Sequence, residues 1–389
     1  IAARYRFTSW FQHKSWTEKM VLGRLMATHG VDYFSNHVLH FSDEDRALIN
    51  DLKEPLRNLD PKMIQLAYPE VNVPSFSGSN NWAITGKLSS SGKPILATDP
   101  HQPHSLPNTF FYVHLNAGSW DAFGAAFPGV PYFMMGFTPD IAWGLTTGFV
   151  DCYDLFVEEV KDDKYRTQSG WKDLDTQEEI IEVKGQSDSS ISIQKTHHGV
   201  LLEPFMNEFG MSGSQKNQYQ TSLYWSLQNV PTSAGALALL PTAKSAKEFG
   251  EFLFENDVCP LVNNIICVDK DSQLERYIAT TTPVRKGVTG SVPLPGWIDK
   301  YDFNLAMPDQ LLVEKNPISG FSLTANNDTM GEEGEFYIHN FPTHNSRANR
   351  IREILSQKKN FSVKDFCAMQ LDLHDLRSVD ILPDLIKVL

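Results

Sequence analysis

The chain has 389 residues, 41% of them hydrophobic, and carries 34 Lys and Arg against 47 Asp and Glu, a net charge of −13. This length exceeds the ~100 to 200 residues of one ordinary domain, and the composition is typical of a globular protein with a sizeable core. The acidic balance argues against nucleic acid and anionic membrane surfaces as partners, and no run reaches the ~18 apolar residues of a membrane span.

Helical patterns dominate the chain before residue 70. Apolar residues recur at helical spacing over Trp16–His29, and Ser42–Asp45 opens a second helix that runs from Arg46 to about Lys53. The acidic first turn suits the helix dipole, and Pro55 is expected to end or kink the helix. Ile1 is neither an initiator Met nor the start of a signal-peptide pattern, so we expect a processed or truncated start.

From Trp82 onward, short apolar or alternating runs lie between turn signals, a pattern that predicts strands. These runs are Trp82–Thr85, Pro94–Thr98, Thr109–Asn116, Ala122–Phe127, Tyr132–Phe137, Ile141–Thr146, Asp154–Val160, Ile180–Val183, Ile191–Lys195, Val262–Val268 and Glu275–Thr281. Helical spacing returns at Ser233–Asn256, with a break at Pro241, and again at Asn345–Lys358 and Val363–Gln370. Helices, a large antiparallel sheet region and further helices predict an α+β fold in which helices pack on stacked sheets.

The dipeptide Gly78-Ser79 lies where a polar turn is expected to lead into the strand that begins at Trp82. Because Gly78 has no Cβ, the backbone there has unusual freedom, and the Ser79 hydroxyl can approach the preceding carbonyl. Attack would give an ester, and its hydrolysis would leave Ser79 at a new N-terminus. The α-amine of that residue, with a pKa near ~8, can serve as the base for its own hydroxyl. A Gly-Ser-Asn turn alone is more often only a loop.

The sequence Gly78-Ser79-Asn80-Asn81-Trp82-Ala83-Ile84, followed by Ser91–His101, resembles the start of the β-subunit in the penicillin amidase family of N-terminal-nucleophile hydrolases. Further similar motifs follow in the family's order at Gly124–Pro131, Ile141–Thr146, Asp151–Val160, Asn316–Phe321, Thr324–Asn327 and Arg347–Ile351. The resemblance covers most of residues 75–389, and residues 1–74 resemble the end of the α-subunit more weakly.

This resemblance implies a four-layer αββα sandwich of mainly antiparallel sheets, formed by a chain that is expected to be incomplete. Residues 1–78 would be the end of the α-subunit with a processing segment, and residues 79–389 would be the N-terminal part of the β-subunit. Cleavage between Gly78 and Ser79 would then give an α/β heterodimer, which the resemblance places in the periplasm or outside the cell.

The resemblance also assigns catalytic roles to individual residues. Ser79 would be the nucleophile, and the backbone N–H of Thr147 and the side chain of Asn326 would stabilise the tetrahedral oxyanion. Arg350 would brace the site, and His101 would contact the amine or backbone of the nucleophile. Asn326 is preferred to its neighbour Asn327 because the family's Asn lies nine residues after the Pro of its Asn-Pro-x-x-Gly motif, here Pro317.

Two further sets of residues follow from the same resemblance. The substrate-binding set is Gln102, Met134, Met135 and Leu145. The calcium set is the carboxylates of Asp151 and Asp154 with the backbone carbonyl of Tyr153, and its hard oxygen ligands suit a structural Ca²⁺. A later Asp that the family would add has no clean counterpart near His339 and Asn340. No cofactor is required for the chemistry itself.

Simpler explanations exist for most of these residues. Asn326 and Asn327 are common turn formers, Arg350 is compatible with an ordinary helix surface, and the two Met residues suit a core. His101 and His104 form a His-x-x-His pattern, but Pro103 between them and the lack of a nearby third ligand favour a loop or active-site role over a metal site.

Two functions therefore remain open at this point. The first is an autoprocessed amidohydrolase that acts on an N-acylated small molecule, such as a penicillin or an acyl-homoserine lactone. The alternative is a non-catalytic or truncated relative that acts as a binding module. Retention of Gly78, Ser79, Asn326 and Arg350 together favours the enzyme, because a non-catalytic relative would be expected to have lost one of them.

Overall fold

A computed structural model describes residues 15–30, 42–59, 78–102, 104–118, 120–130, 132–207, 218–228, 230, 235–254, 262–278, 280–306, 311, 314–329 and 344–388. The helices in these ranges are α1 (Ser15–His29), α2 (Asp43–Asp51), α3 (Lys53–Asn58), α4 (Leu202–Asn207), α5 (Gly235–Leu239), α6 (Ala246–Phe254), α7 (Ser346–Gln357), α8 (Val363–Gln370) and α9 (Leu376–Val388). Two 3₁₀ turns cover Leu240–Thr242 and Asp299–Tyr301. None of the helices in the described ranges is both long and apolar enough to cross a membrane.

The strands of the first half are β1 (Gly78–Ile84), β2 (Ile95–His101), β3 (Phe111–Ala117), β4 (Trp120–Ala126), β5 (Met135–Phe137), β6 (Ile141–Thr147), β7 (Tyr153–Lys161), β8 (Lys164–Thr167), β9 (Gly170–Asp173) and β10 (Asp175–Ile181). Those of the second half are β11 (Ser189–Lys195), β12 (Val200–Leu201), β13 (Tyr219–Trp225), β14 (Asn263–Asp269), β15 (Leu274–Ile278), β16 (Thr282–Val284), β17 (Leu294–Pro295), β18 (Asn304–Ala306), β19 (Glu314–Lys315) and β20 (Phe321–Thr324).

Most of these strands pair in three sheets. A three-stranded sheet has the order β2-β1-β20, and a seven-stranded sheet has the order β19-β15-β14-β6-β5-β4-β3. A larger sheet has the order β10-β11-β12-β13-β7-β8-β9, with β17 parallel to β7, and β16 pairs with β18 separately. The prediction of a mixed α and β protein with mainly antiparallel sheets is therefore confirmed.

The helices before the first sheet begin and end close to their predicted positions. Ser42 caps α2: its hydroxyl accepts from the Asp45 backbone N–H, and the Asp45 carboxylate accepts from the Ser42 backbone N–H. Because of this reciprocal cap, α2 begins at Asp43, before the predicted Arg46. Pro55 lies in the first turn of α3, where a missing backbone N–H breaks no helical hydrogen bond.

The three-stranded and seven-stranded sheets pack against each other across β1 and β6. Ala83 of β1 contacts an apolar cluster that includes Ile266 and Val268 of β14. Gly144 of β6 makes the closest approach: a Cβ at this position would lie 2.6 Å from Asn81 Oδ1 and 2.7 Å from Thr98 Cβ. The two sheets can approach this closely because residue 144 has no side chain.

Helices cover the outer faces of both sheets. Trp82 and Leu323 of the three-stranded sheet pack with residues of α7 and α8, including Leu355 and Phe366. On the other side, Trp143 and Ile265 of the seven-stranded sheet pack with Leu237 of α5 and with Phe249 and Leu253 of α6. Strand β1 therefore belongs to a sheet that packs against helices on one face and against the seven-stranded sheet on the other.

Helix α1, which precedes Gly78-Ser79 in the chain, packs on the larger sheet. Met20 is buried with Tyr153 and Leu155 of β7, while Met26 contacts the cluster that contains Leu56 and Phe156. Apolar contacts of this kind tie the segment before Ser79 to the segment after it.

Candidate active site

Ser79 lies in strand β1, not in a turn before it. The predicted strand began at Trp82, but the ladder with β2 starts at Gly78, which pairs with His101, and continues with Asn80 opposite Asp99. Pairing with β20 begins only at Asn81, opposite Thr324. Within the described residues, Gly78, Ser79 and Asn80 therefore have no strand partner on the β20 side, and Asn326, which follows β20, contacts Ser79 there.

Asn326 binds Ser79 through both ends of its side-chain amide. Its Oδ1 accepts from the Ser79 backbone N–H at 2.7 Å, and its Nδ2 donates to Ser79 Oγ at 3.1 Å. Asn326 is 1% exposed and has a φ of 61°, a left-handed conformation that Asn tolerates better than most residues. This backbone turn directly after β20 aims the amide at the start of β1.

Thr147 reaches the same place from the other sheet. Strand β6 ends at this residue, and the Thr147 carbonyl oxygen accepts from Asn326 Nδ2 at 3.0 Å. The structure thus brings together Ser79, Asn326 and the main chain of Thr147, three of the residues that the resemblance assigns to catalysis. The role of the Thr147 N–H as an oxyanion donor stays a prediction.

The arginine that contacts Ser79 is Arg347. The prediction that Arg350 braces the site is wrong. Arg347 Nη1 donates to the Ser79 carbonyl at 2.8 Å and to Asn80 Oδ1 at 2.8 Å, and its Nη2 donates to Asn326 Oδ1 at 3.0 Å. Burial lowers the pKa of the Arg347 guanidinium, and the nearby Asp99 carboxylate opposes that shift. A guanidinium stays charged even so, and Arg347 supplies positive charge directly at the Gly78-Ser79 region.

Arg350 lies three residues further along α7, away from Ser79. Its guanidinium pairs with Asp372 at 2.8 Å and with Glu353 at 3.0 Å. These hydrogen bonds raise its pKa. Glu353 stands at i+3, a spacing that favours an ion pair along the helix, so the sequence did contain a signal that Arg350 has a local partner.

His101 approaches from the other side of Gly78. Its Nε2 lies 3.1 Å from Asp99 Oδ2 and 3.3 Å from Asn80 Nδ2. A Cβ at Gly78 would lie 3.3 Å from His101 Nδ1 and 3.4 Å from Arg347 Nη2, so a side chain at position 78 would crowd both groups. Asn80 and Asp99 were missed from the sequence, although the period of two in a strand puts each of them on the same face as Gly78 or His101.

The predicted substrate-binding residues have different surroundings. Met134 and Met135 are 4% and 5% exposed in the core cluster around Trp143, and Leu145 packs against that cluster. The Met135 sulfur also lies 3.7 Å from Thr98 Oγ1 of β2. Gln102 is exposed just after β2. A core role explains both Met residues, and their contact with a substrate stays a prediction.

The predicted calcium ligands are close together, but two side-chain cations already bind their oxygens. Lys19 Nζ donates to Asp151 Oδ2 at 2.8 Å, to Asp154 Oδ1 at 3.1 Å and to the Tyr153 carbonyl. Arg285 Nη2 lies 2.7 Å from Asp151 Oδ2 and 2.9 Å from Asp154 Oδ2. These residues therefore do not fit a calcium ion in this arrangement, since Lys19 stands where the ligand oxygens converge.

Comparison with known proteins identifies the family. Residues 2–389 match the family described as Penicillin amidase. The chain belongs to the penicillin amidase family. A solved structure of a thermostable penicillin G acylase from Alcaligenes faecalis shares the fold, with a TM-score of 0.65 at 21% identity over 79% of this chain and 55% of that chain.

Curated relatives of this penicillin amidase family member include two kinds of acylase. An acyl-homoserine lactone acylase QuiP of Pseudomonas aeruginosa is 28% identical over 309 residues, which are 77% of this chain and 36% of that protein. A penicillin acylase 2 proenzyme of Pseudomonas sp. (strain SE83) is 26% identical over 300 residues, 76% of this chain and 37% of that protein. The chain thus spans little more than a third of the length of these relatives.

Proposed function

We propose that this chain is the core of an autoprocessed acylase, which cuts itself between Gly78 and Ser79 and then hydrolyses the amide bond of an N-acylated small molecule. The observation that carries this proposal is the contact of one side chain, Asn326, with both the nitrogen and the hydroxyl of Ser79. Those two atoms are the base and the nucleophile of an N-terminal serine. The helix, sheet, sheet, helix order of contacts supports the four-layer αββα arrangement expected for such an enzyme.

The first reaction is the cleavage of the chain. Ser79 Oγ attacks the carbonyl carbon of Gly78, the Gly78–Ser79 C–N bond breaks, and the nitrogen takes up the proton that the hydroxyl loses. That step already frees the Ser79 amine, and water then hydrolyses the resulting ester, which releases Gly78 as a carboxylate and restores the Ser79 hydroxyl. His101 is suited to move the proton, because Asp99 holds its Nε2 while its Nδ1 lies on the Gly78 side.

The second reaction is acyl transfer from the substrate. The Ser79 amine accepts the proton of its own hydroxyl, and Oγ attacks the substrate carbonyl carbon. Asn326 Nδ2 and the Thr147 N–H donate to the oxyanion, each donor being worth about 3 to 4 kcal/mol. The amine product leaves with a proton, and water then hydrolyses the acyl ester on Ser79.

The proposed substrate class is supported by the chemistry and by the names of the relatives. The reaction needs a carbonyl bonded to nitrogen and an acyl group that an apolar site can hold. Acyl-homoserine lactones and penicillins both meet these conditions, and relatives named for both are similar to this chain. After cleavage the two pieces would stay associated as an α/β heterodimer through the apolar contacts of α1 with β7.

A substrate panel tests this function. The purified protein is incubated with short-chain and long-chain acyl-homoserine lactones, penicillin G and phenylacetyl amides, and free acid and amine are measured by mass spectrometry. We expect equal amounts of acid and amine from at least one member, and none above background from Ser79→Ala. Binding of the panel without turnover, equal in both proteins, would instead support the binding-module alternative.

Arg347 and Arg350 form a matched pair of variants, because both lie on α7 and only Arg347 contacts Ser79. Arg347→Ala removes donors from the Ser79 carbonyl and from Asn326, and a hydrogen bond to a charged group is worth about 1.5 to 3 kcal/mol. We expect cleavage to slow by about 10-fold to 100-fold, measured by the decay of uncut chain on a gel. Arg350→Ala is expected to change that rate less than about twofold, since it loses only partly exposed ion pairs. Equal effects of the two substitutions would contradict the role given to Arg347.

A further inference from the structure

The cluster of Lys19, Asp151, Asp154 and Arg285 is the most completely buried set of charges that the described residues contain near β7. All four side chains are 0% or 1% exposed. Two carboxylates and two cations give a balanced charge, which a buried site requires because an unpaired ion is strongly disfavoured away from water.

The ammonium of Lys19 matches the oxygens around it in number. A lysine has three N–H donors, and three oxygens accept from Lys19: Asp151 Oδ2, Asp154 Oδ1 and the Tyr153 carbonyl. Carboxylate and carbonyl oxygens converging on one point are also the ligands that hard divalent cations prefer. The same oxygens cannot serve both, since the ammonium stands at the point where an ion would bind.

Arg285 completes the charge balance and shares the Asp151 Oδ2 and Asp154 Oδ1 oxygens with Lys19. Its Nε lies 3.0 Å from Asp154 Oδ2, and its Nη2 lies within 2.9 Å of both Asp151 and Asp154. A calcium ion added to this set would raise the total charge to plus two. Binding of calcium would therefore require displacement of Lys19, and the packing of its neighbour Met20 against Tyr153 and Leu155 opposes that movement.

We propose that Lys19 is a built-in cation that takes the place of a divalent metal ion and ties the segment before Ser79 to the segment after it. The second part rests on the proposed cleavage, because Lys19 precedes the Gly78–Ser79 bond and its three acceptors follow it. In the cut protein this contact joins two separate chains. The ammonium is supplied by the protein itself, so the tie does not depend on the calcium concentration.

The first test measures whether the protein needs or binds calcium. Full-length protein is dialysed against EDTA, and its thermal midpoint is compared with and without millimolar CaCl₂, with bound calcium measured by elemental analysis. We expect the midpoint to change by less than about 1 °C and no stoichiometric calcium. Bound calcium near one ion per chain, or a midpoint that rises by several degrees with CaCl₂, would overturn the proposal.

The second test removes the ammonium. Lys19→Met keeps the aliphatic stem and leaves an excess buried carboxylate, and we expect the midpoint to fall by about 4 to 8 °C. Lys53→Met in α3 is the control, because Lys53 is exposed. Lys19→Met with Asp151→Asn restores the charge balance and should recover part of the loss. A fall in Lys19→Met no larger than in Lys53→Met would contradict a role for the ammonium.

A third measurement addresses the tie between chains. In cut protein, size-exclusion chromatography in moderate urea should release the piece that ends at Gly78 at a lower urea concentration for Lys19→Met than for Lys53→Met. If the chain never cuts, the proposed function fails, but the calcium and midpoint measurements still decide whether Lys19 replaces the ion. If it cuts and both variants release the piece alike, the tie is refuted while the cleavage stands.

Discussion

Ser79→Ala is expected to leave the chain in one piece, whereas the wild-type full-length gene product should be cut between Gly78 and Ser79. The substitution removes Oγ, the nucleophile that would attack the Gly78 carbonyl in the proposed reaction. Cleavage should therefore be lost completely and not merely slowed. Intact-mass analysis checks the result, because it resolves one piece that ends at Gly78 and another that begins at Ser79.

The matched control for this experiment is Ser90→Ala. Ser90 is an exposed residue in the turn between β1 and β2, so its hydroxyl is remote from the Gly78–Ser79 bond. We expect it to be cut like the wild type. Wild-type protein that stays uncut, or Ser79→Ala that is cut at the same bond, would show that Ser79 does not cleave the chain. Cleavage of the variant by a contaminating protease would give other termini and is distinguishable by mass.

Asn326→Ala is expected to lower kcat by roughly 10²-fold to 10³-fold while KM changes much less, the range measured for loss of one oxyanion donor. The physical reason is that Nδ2 already donates to Ser79 Oγ, beside which the oxyanion of the proposed reaction would form. The same Nδ2 also reaches the main chain of Thr147, the residue proposed as the second donor. Rates are divided by the fraction of cut protein, determined by intact mass, because the same side chain also contacts the Ser79 nitrogen before cleavage.

Two variants sharpen this experiment. Asn326→Asp keeps an oxygen for the Ser79 nitrogen but replaces the donor with an acceptor, so its kcat should be as low as that of Asn326→Ala. Asn327→Ala tests the neighbouring residue, whose Oδ1 accepts from the Ala325 N–H within the turn. It should lose far less activity. A large loss of kcat in Asn327→Ala with little in Asn326→Ala would assign the donor role to Asn327. A rise in KM alone in Asn326→Ala would contradict an oxyanion role for Asn326.

The regular elements were predictable where apolar side chains alternate or recur at helical spacing. The polar start of β1 was not predictable, because Gly78–Asn81 has no apolar pattern. Pairing with β2, a contact between distant residues, holds this segment in the sheet. Strand β13, at Tyr219–Trp225, was also missed, although its pairing with β7 is continuous over the whole strand. Its polar residues Gln220, Thr221 and Ser222 are buried. Thr221 and Ser222 donate to Glu203 and Glu158, partners that sequence spacing does not reveal.

The site residues divide along the same line. Asn326 was predictable from its distance to Pro317 in the family motif, and the structure brings it to Ser79. The choice between Arg347 and Arg350 was not predictable from the sequence, because both belong to one motif. Only the direction in which each side chain leaves α7 distinguishes them. Lys19 gave no signal, since its partners are more than a hundred residues away.

Gly144 has a consequence for how such a protein can change its specificity. The distance between β1, which carries Ser79, and β6, which ends at Thr147, is set at this position by the close approach of Gly144 to the side chains of Asn81 and Thr98. The side chains predicted to contact an acyl group, such as Met134 and Leu145, pack instead in the cluster around Trp143. If the proposed function holds, we expect specificity for the acyl group to change at those positions independently of the reaction geometry, whereas a side chain at position 144 would separate the two strands and change the rate for every substrate.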